Sequence, residues 1–450
     1  MVTLEDAVTK AVGHATRAGA SDCDVVGCSS RYIVAEIEKG SMKQASASDE
    51  VGIGIRAFIN GSSGFSYCAD LKDSPIRRMA ELAVSLAKAG TPDPDFRGLP
   101  EPEKVSKVSG LFDKRIASLG ADEVVDMAIH LAEVAGSDRR ITSVNALVAV
   151  GLGTACLMNS REVSAYQQMS SFDAVGEVVA GTKSDMFSGT DVRSSRKLDK
   201  PLLDLAGSNA REHAIMGLKK TRMPTGDYPV IMDPLAVGFL LASAVGDGAN
   251  ADSVQRGRSY LAGKLGKRIG SSSLSVSDDP TVEWASGSYS FDGEGTPARR
   301  KLLVDKGTLR TYLHDSYTSG KDSTNSTGNS SRGAPQWSFR TPPSISSSNL
   351  LVRPGTTTSD SMIEDVKNGI YLRLTWDRPN LTTGELSGLM MECYKISNGD
   401  LGASIRQSSM GISLLDMFDR IEQVGRVPRE AFGVITPHLK VSKVRIGGSG

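Results

Sequence analysis

Residues 226–234, GDYPVIMDP, divide the chain. A short apolar strand over 229–232 runs into Asp233-Pro234, which reads as a helix cap followed by a proline in the first turn. The next twelve residues, LAVGFLLASAVG, are apolar nearly all round, the pattern of a buried helix. A chain of 450 residues exceeds one ordinary core, so two or three domains are expected. Placing a boundary just before this stretch gives an N-terminal α+β domain over 1–220 and a C-terminal, β-rich domain over 221–450. A further subdivision is expected near 91–120, because TPDPDFRGLPEPEK over 91–104 is proline-rich and charged, as a linker is.

Upstream of the divide, the pattern alternates between helix and meander. Thr3 caps a first helix with Asp6 three residues on, and Gly19 ends it. DVVGC, YIVAEIEKG and VGIGIRAFI read as strands, with Asn60-Gly61 as a hairpin turn. Ser74-Pro75 predicts the cap and first position of a helix reaching about Lys88. Another helix is expected from about Ala121 to Ala135. Residues 141–179 then read as three or four strands, with a tight turn at Asn159-Ser160-Arg161, before a helix over 202–218.

Downstream, polar loops alternate with short strands. ARRKLLVDKGTLRTYLHD over 298–315 reads as a hairpin with His314 near a strand end, and GKDSTNSTGNSSRGAP over 320–335 reads as an exposed loop. Two carboxylates, Asp292 and Glu294, lie one glycine apart before the hairpin. In an extended strand that spacing puts both on one face, where they could bind a cation, share a proton, or act as acid and base. The plainer reading is a polar turn with Arg299 or Arg300 closing an ion pair. The loop Thr327-Gly328-Asn329-Ser330-Ser331-Arg332 can present backbone N–H groups and a guanidinium to a carboxylate.

Several classes of function find no support. Lys+Arg and Asp+Glu both number 52, so bulk charge does not point to nucleic acid. The apolar runs 146–158 and 235–246 are short and broken by Gly or Ser, and no leader pattern follows Met1, so neither a membrane span nor export is expected. The five cysteines show no CxxC spacing and suit a reduced, cytoplasmic protein. Of five histidines no two are three or four residues apart, which removes the helix-borne imidazole pair of a zinc peptidase. Met390, Met391 and Cys393 read as core rather than as soft metal ligands.

Against this background a set of ordered motifs resembles the TldD/PmbA family. They are GIGIRAFINGSSG over 52–64, SYLAGKLGKRI over 259–269 followed by Asp278-Asp279-Pro280, FDGEGTPARR over 291–300, STGNSSR over 326–332 and SSNLLVRPG over 347–355. The resemblance implies an α+β fold of two domains, an N-terminal sandwich-like α/β domain and a C-terminal domain on a curved antiparallel sheet or barrel. It implies a peptidase whose metal-bearing branch holds zinc on a helix with HExxxH and on a C-terminal cysteine. In this chain the corresponding helix begins at Pro234 and carries neither His nor Glu, and no cysteine follows Cys393. The resemblance is therefore to the PmbA, or TldE, branch. It implies no metal bound by this chain, zinc in a TldD-type HExxxH partner, and a heterodimer acting on unfolded peptides. Two alternatives stand beside it: an autonomous hydrolase using Asp292 and Glu294, and a homodimeric peptide-binding module. Asp292, Glu294, Gly295, Thr327, Gly328, Asn329 and Arg332 are the candidates for lining a cleft or binding substrate, and no residue is assigned a catalytic role.

Overall fold

In the computed structural model the described residues are 3–105, 107–182, 185–333, 337–406 and 408–448. The first half is a six-stranded antiparallel sheet in the order β3-β2-β1-β4-β5-β6. Its strands are β1 (Asp22–Glu38), β2 (Ser41–Ile59), β3 (Ser62–Cys68), β4 (Ile141–Asn159), β5 (Ser164–Thr182) and β6 (Asp185–Ser195). Four of them are far longer than the segments read from sequence. DVVGC and YIVAEIEKG are parts of one strand of 17 residues, and residues 141–179 fall on two strands rather than three or four. The glycines and serines that looked like breaks are points of close packing. A Cβ on Gly27, for example, would lie 2.7 Å from Val8.

Strand alternation divides the sheet into two faces. Val25, Ile53, Ile55 and Ala57 pack under α1 (Leu4–Ala18) and α2 (Asp73–Ala89). Ile33, Ala35, Val148, Val150 and Ala174 pack on α3 (Lys114–Ala117), α4 (Ala121–Gly136) and α5 (Pro201–Met216). Thr3 caps α1 with the reciprocal Asp6 contact, as its sequence indicates. The start of α2 differs: Lys72 occupies the cap position and Pro75 lies within the first turn. On the opposite face of the sheet, Val26, Cys28, Ala155, Leu157 and Val163 meet Phe291, Trp337 and Phe339 of the C-terminal half.

That half holds a nine-stranded curved sheet and a six-stranded one. The larger sheet includes β7 (Lys220–Thr221) and β8 (Gly226–Met232), and β8 lies between the strands Leu439–Gly447 and Asn368–Leu374. Pairing is mostly antiparallel, but β8 with Asn368–Leu374 is parallel, as is Leu350–Val352 with Val434–Thr436. From β8 the chain enters α6 (Pro234–Leu241), capped by the Asp233 carboxylate on the Leu235 N–H at 2.8 Å. All of α6 except Phe239 is buried, and it continues as a π-helical turn over Ala242–Asp247. The molecule is thus α+β, with a helix layer, a long-stranded sheet and a strand-rich C-terminal half. No helix among the described residues is long and apolar enough to cross a membrane.

Candidate functional site

The DGEG stretch is a tight turn rather than a strand. The Gly295 N–H donates to the Asp292 carbonyl at 3.0 Å, and the Asp292 N–H donates to the Thr296 carbonyl at 2.9 Å. The two carboxylates therefore diverge instead of sharing a face. Asp292 turns inward and accepts the backbone N–H groups of Glu294, Thr296 and Ser330 at 3.0, 2.9 and 3.0 Å. Glu294 points at the first sheet. Its Oε1 accepts from Arg56 at 2.6 Å and from the Ser316 hydroxyl at 2.8 Å, while Oε2 accepts the Ser316 N–H at 2.9 Å. Both side chains have 0% exposure, so every carboxylate oxygen faces protein.

Arg56 of β2 is the hub. Its register partner across β1 is Asp24, and its Nε and Nη2 form a two-pronged bond to that carboxylate, each prong 3.0 Å long. Asp24 also accepts from Arg332 Nη2 at 2.7 Å, and Arg332 Nε donates to the Gly293 carbonyl at 2.7 Å. The loop over 327–332 thus does present an N–H and an arginine to carboxylates, and those carboxylates are the chain's own Asp292 and Asp24. Asn329 continues the network through Nδ2 to Asp278 at 2.9 Å, with Thr327 donating to its Oδ1 at 2.8 Å. Asp278 in turn binds Lys301 at 2.7 Å.

The exposed loop expected over 320–335 is only partly such. Its first residues belong to α8 (Ser316–Lys321), which follows α7 (Ala251–Gln255), whereas Gly328, Asn329, Ser330 and Arg332 are buried. Ala334 and Pro335 lie outside the described residues. His314 does not end a hairpin strand, since the short strand Thr308–Leu309 stops before it. The Asp315 next to it caps α8 by accepting the Thr318 N–H at 2.8 Å. Arg299 and Arg300 do not close the turn either: Arg299 binds Glu103 at 2.6 Å and Arg300 lies 3.8 Å from Asp279.

Gly295 shows why the turn fits only here. Its φ is +90°, and a Cβ would stand 2.5 Å from Val163 Cγ1 on the first sheet. Gly54 of β2 meets the Phe339 carbonyl in the same way, its hypothetical Cβ only 2.2 Å from that oxygen. Burial raises the Asp292 carboxyl to about 7, with the Glu294 charge adding to the shift. Asp315 is raised to about 6 for the same two reasons. Opposed charges within a closed set of partners hold parts together. With no oxygen turned to a substrate, they do not activate water.

A second buried cluster joins β6 to the C-terminal half near the start of α6. Asp191 accepts from Arg193 at 2.8 Å, from Arg373 at 3.2 Å and from Arg429. Arg373 also binds Glu392 at 2.5 Å. Beside it the Tyr371 hydroxyl donates to Asp233 at 2.7 Å and lies 3.1 Å from His438 Nε2. The charges of Arg373 and Arg429 outweigh burial and lower Asp233 to about 2, although burial is the largest single influence. Burial lowers His213 to about 3. Neither cluster was anticipated. The visible signal for the first is Asp24, a lone acid inside the apolar run CDVV. Arg56 lies in a stretch that was quoted for its resemblance and given no role.

Zinc does not fit the donors at α6. The helix offers no ligand, Asp233 is committed to its cap and to Tyr371, and His438 lies 3.7 Å from Asp233 with Tyr371 bonded to both. Among the described residues no group of three or more His, Cys, Asp or Glu is placed to hold a metal ion.

Residues 225–448 match the PmbA/TldA metallopeptidase C-terminal domain, and residues 23–87 match PmbA/TldA metallopeptidase domain 1. This chain belongs to the PmbA/TldD family. A Methanothermobacter thermautotrophicus metalloprotease is 26% identical over 92% of each chain. The Haemophilus influenzae metalloprotease PmbA homolog is 24% identical over 99% of this chain and 96% of its own. Among solved structures, TldE from Thermococcus kodakarensis superposes with a TM-score of 0.87 at 19% identity, covering 98% of this chain and all of its own. At that identity the likeness shows a shared fold.

Proposed function

We propose that this chain is the PmbA- or TldE-type subunit of a metallopeptidase that degrades or trims unfolded peptides, and that it contributes no metal site of its own. The observation that carries the reading is α6, the helix at which the metal-bearing branch places HExxxH. Here it is PLAVGFLL, buried and without a ligand atom, and Phe239 on its remaining face packs edge-on to Trp376 at 5.2 Å and to Phe432 at 5.5 Å. A hydrolytic water gains its low pKa from a metal or a base, and the carboxylates of the DGEG turn are spent on Arg56, Ser316 and backbone N–H groups. The zinc then belongs to a TldD-type partner, the assembly is cytoplasmic, and this subunit walls the chamber and steadies an extended peptide by strand addition. In this reading the residues from Asp292 to Arg332 brace the cleft wall from behind.

The test is co-expression with an HExxxH relative. A stable complex that cleaves an unfolded peptide, loses activity to a chelator, and leaves this chain inactive alone is the expected outcome. Chelator-sensitive cleavage by this chain alone would refute the reading.

A further inference from the structure

One feature of the first sheet is not used by the docked C-terminal half. β3 pairs with β2 only from Ile53 to Ile59, so the preceding part of β2 has no neighbour on its outer side. Ser41 to Val51, all 11 residues, are exposed on both faces of the sheet. This is an open edge without the usual guards: it holds no proline, and its one bulge lies at Glu36/Ile37 on the neighbouring strand.

We propose that this edge is the pairing surface for a second copy of the chain, antiparallel about a two-fold axis at Ser46. The sequence KQASASD over 43–49 is self-complementary in that register. Lys43 falls opposite Asp49 of the second copy, Gln44 opposite Ser48, Ala45 opposite Ala47, and Ser46 opposite itself. Facing residues must share a face of the joined sheet, which restricts the register to steps of two. Moving the axis to Ala45 or Ala47 leaves both unlike-charge pairs unmade. The central side chains are small, so two edges can approach to the ordinary strand spacing of about 4.8 Å. Asp49 has no ion-pair partner among the described residues. Lys43 already bridges Glu36 at 2.9 Å and Glu38 at 3.1 Å, and with Lys39 in the turn the four charges at that end cancel. An isologous contact of this kind makes each pair twice. It goes beyond the proposed role in peptide cleavage and does not depend on it.

The experiment is sedimentation of the purified chain over micromolar concentrations, with charge reversal. The wild type is expected to dimerise. Asp49→Lys alone and Lys43→Asp alone each place like charges opposite twice and should weaken the dimer by about tenfold. Mixing the two variants restores both unlike pairs and should recover it. Ser46→Cys should form an intermolecular crosslink with a short bismaleimide, and Ser63→Cys on β3 should not. A monomeric wild type overturns the proposal. So does a dimer that is indifferent to both reversals and lacks the Ser46→Cys crosslink. Edge amides protected only on adding an unfolded peptide would instead give this edge to substrate and overturn it as well. Metal content and co-purification with an HExxxH subunit read the proposed function separately.

Discussion

Replacing Arg56 with Met tests whether the DGEG turn is an internal clamp. The change keeps much of the aliphatic stem and removes three charge-assisted hydrogen bonds, two to Asp24 at 3.0 Å and one to Glu294 at 2.6 Å. Neither carboxylate is left bare, because Asp24 keeps Arg332 and Glu294 keeps the Ser316 N–H and hydroxyl. Two buried carboxylates would then share one guanidinium where two served before. Removing one partner of a buried ion pair costs about 3–5 kcal/mol, and hydrogen bonds to charged groups are worth about 1.5–3 kcal/mol each. With the surviving donors in place, the expected loss is about 3–4 kcal/mol, a large part of a typical folding free energy. Guanidinium unfolding followed by tryptophan fluorescence suits the purpose. Trp337 sits at the contact between the first sheet and the C-terminal half, edge-on to Phe291 at 5.5 Å. The loss should appear as an early fluorescence transition while far-ultraviolet circular dichroism persists. A change below about 0.5 kcal/mol, the scale of ordinary surface substitutions, would refute the clamp.

Other outcomes follow from the same contacts. Gly295→Ala adds a Cβ 2.5 Å from Val163 at a φ of +90°, and should lower the unfolding free energy by at least about 2 kcal/mol; a neutral variant would show that the halves are not held so closely. Glu294→Gln should impair association with a TldD-type subunit or peptide binding, measured by co-purification and anisotropy, and should leave no solo turnover to lose. Burial lowers His213 from its ordinary 6.5 to about 3, so the unfolded chain binds a proton that the native chain refuses. Its contribution is therefore lost as pH falls from about 6.5 toward 3, and His213→Phe should gain on wild type in urea midpoint at pH 5 relative to pH 7.5. Asp292 works in the opposite sense, its contribution present below 3.8 and lost as pH rises through about 7.

The readable part of the fold was the part set by local pattern. Two-residue alternation in VGIGIRAFI marks one face for helices and one for Gly52, Gly54 and Arg56, and the structure uses both. The cap at Asp233 and the buried α6 follow from the residues at the divide. Strand length was not legible. Gly27 and Gly153 looked like ends, but each lies within a continuous ladder. The loop over 326–332 was misjudged on composition. Its Ser, Thr and Asn suit solvent, yet they also suit a buried network that needs small donors, and nothing local distinguishes the two. Glu294 and Arg56 lie 238 positions apart, a pairing that a single sequence does not reveal.

The account rests most heavily on α6 and its missing ligands, and native mass spectrometry of the separately purified chain after zinc loading addresses that directly. The expected spectrum shows the apo mass, with zinc appearing in stoichiometric amount only once an HExxxH subunit is added. One tightly held zinc ion on this polypeptide alone, retained through desalting, would contradict it.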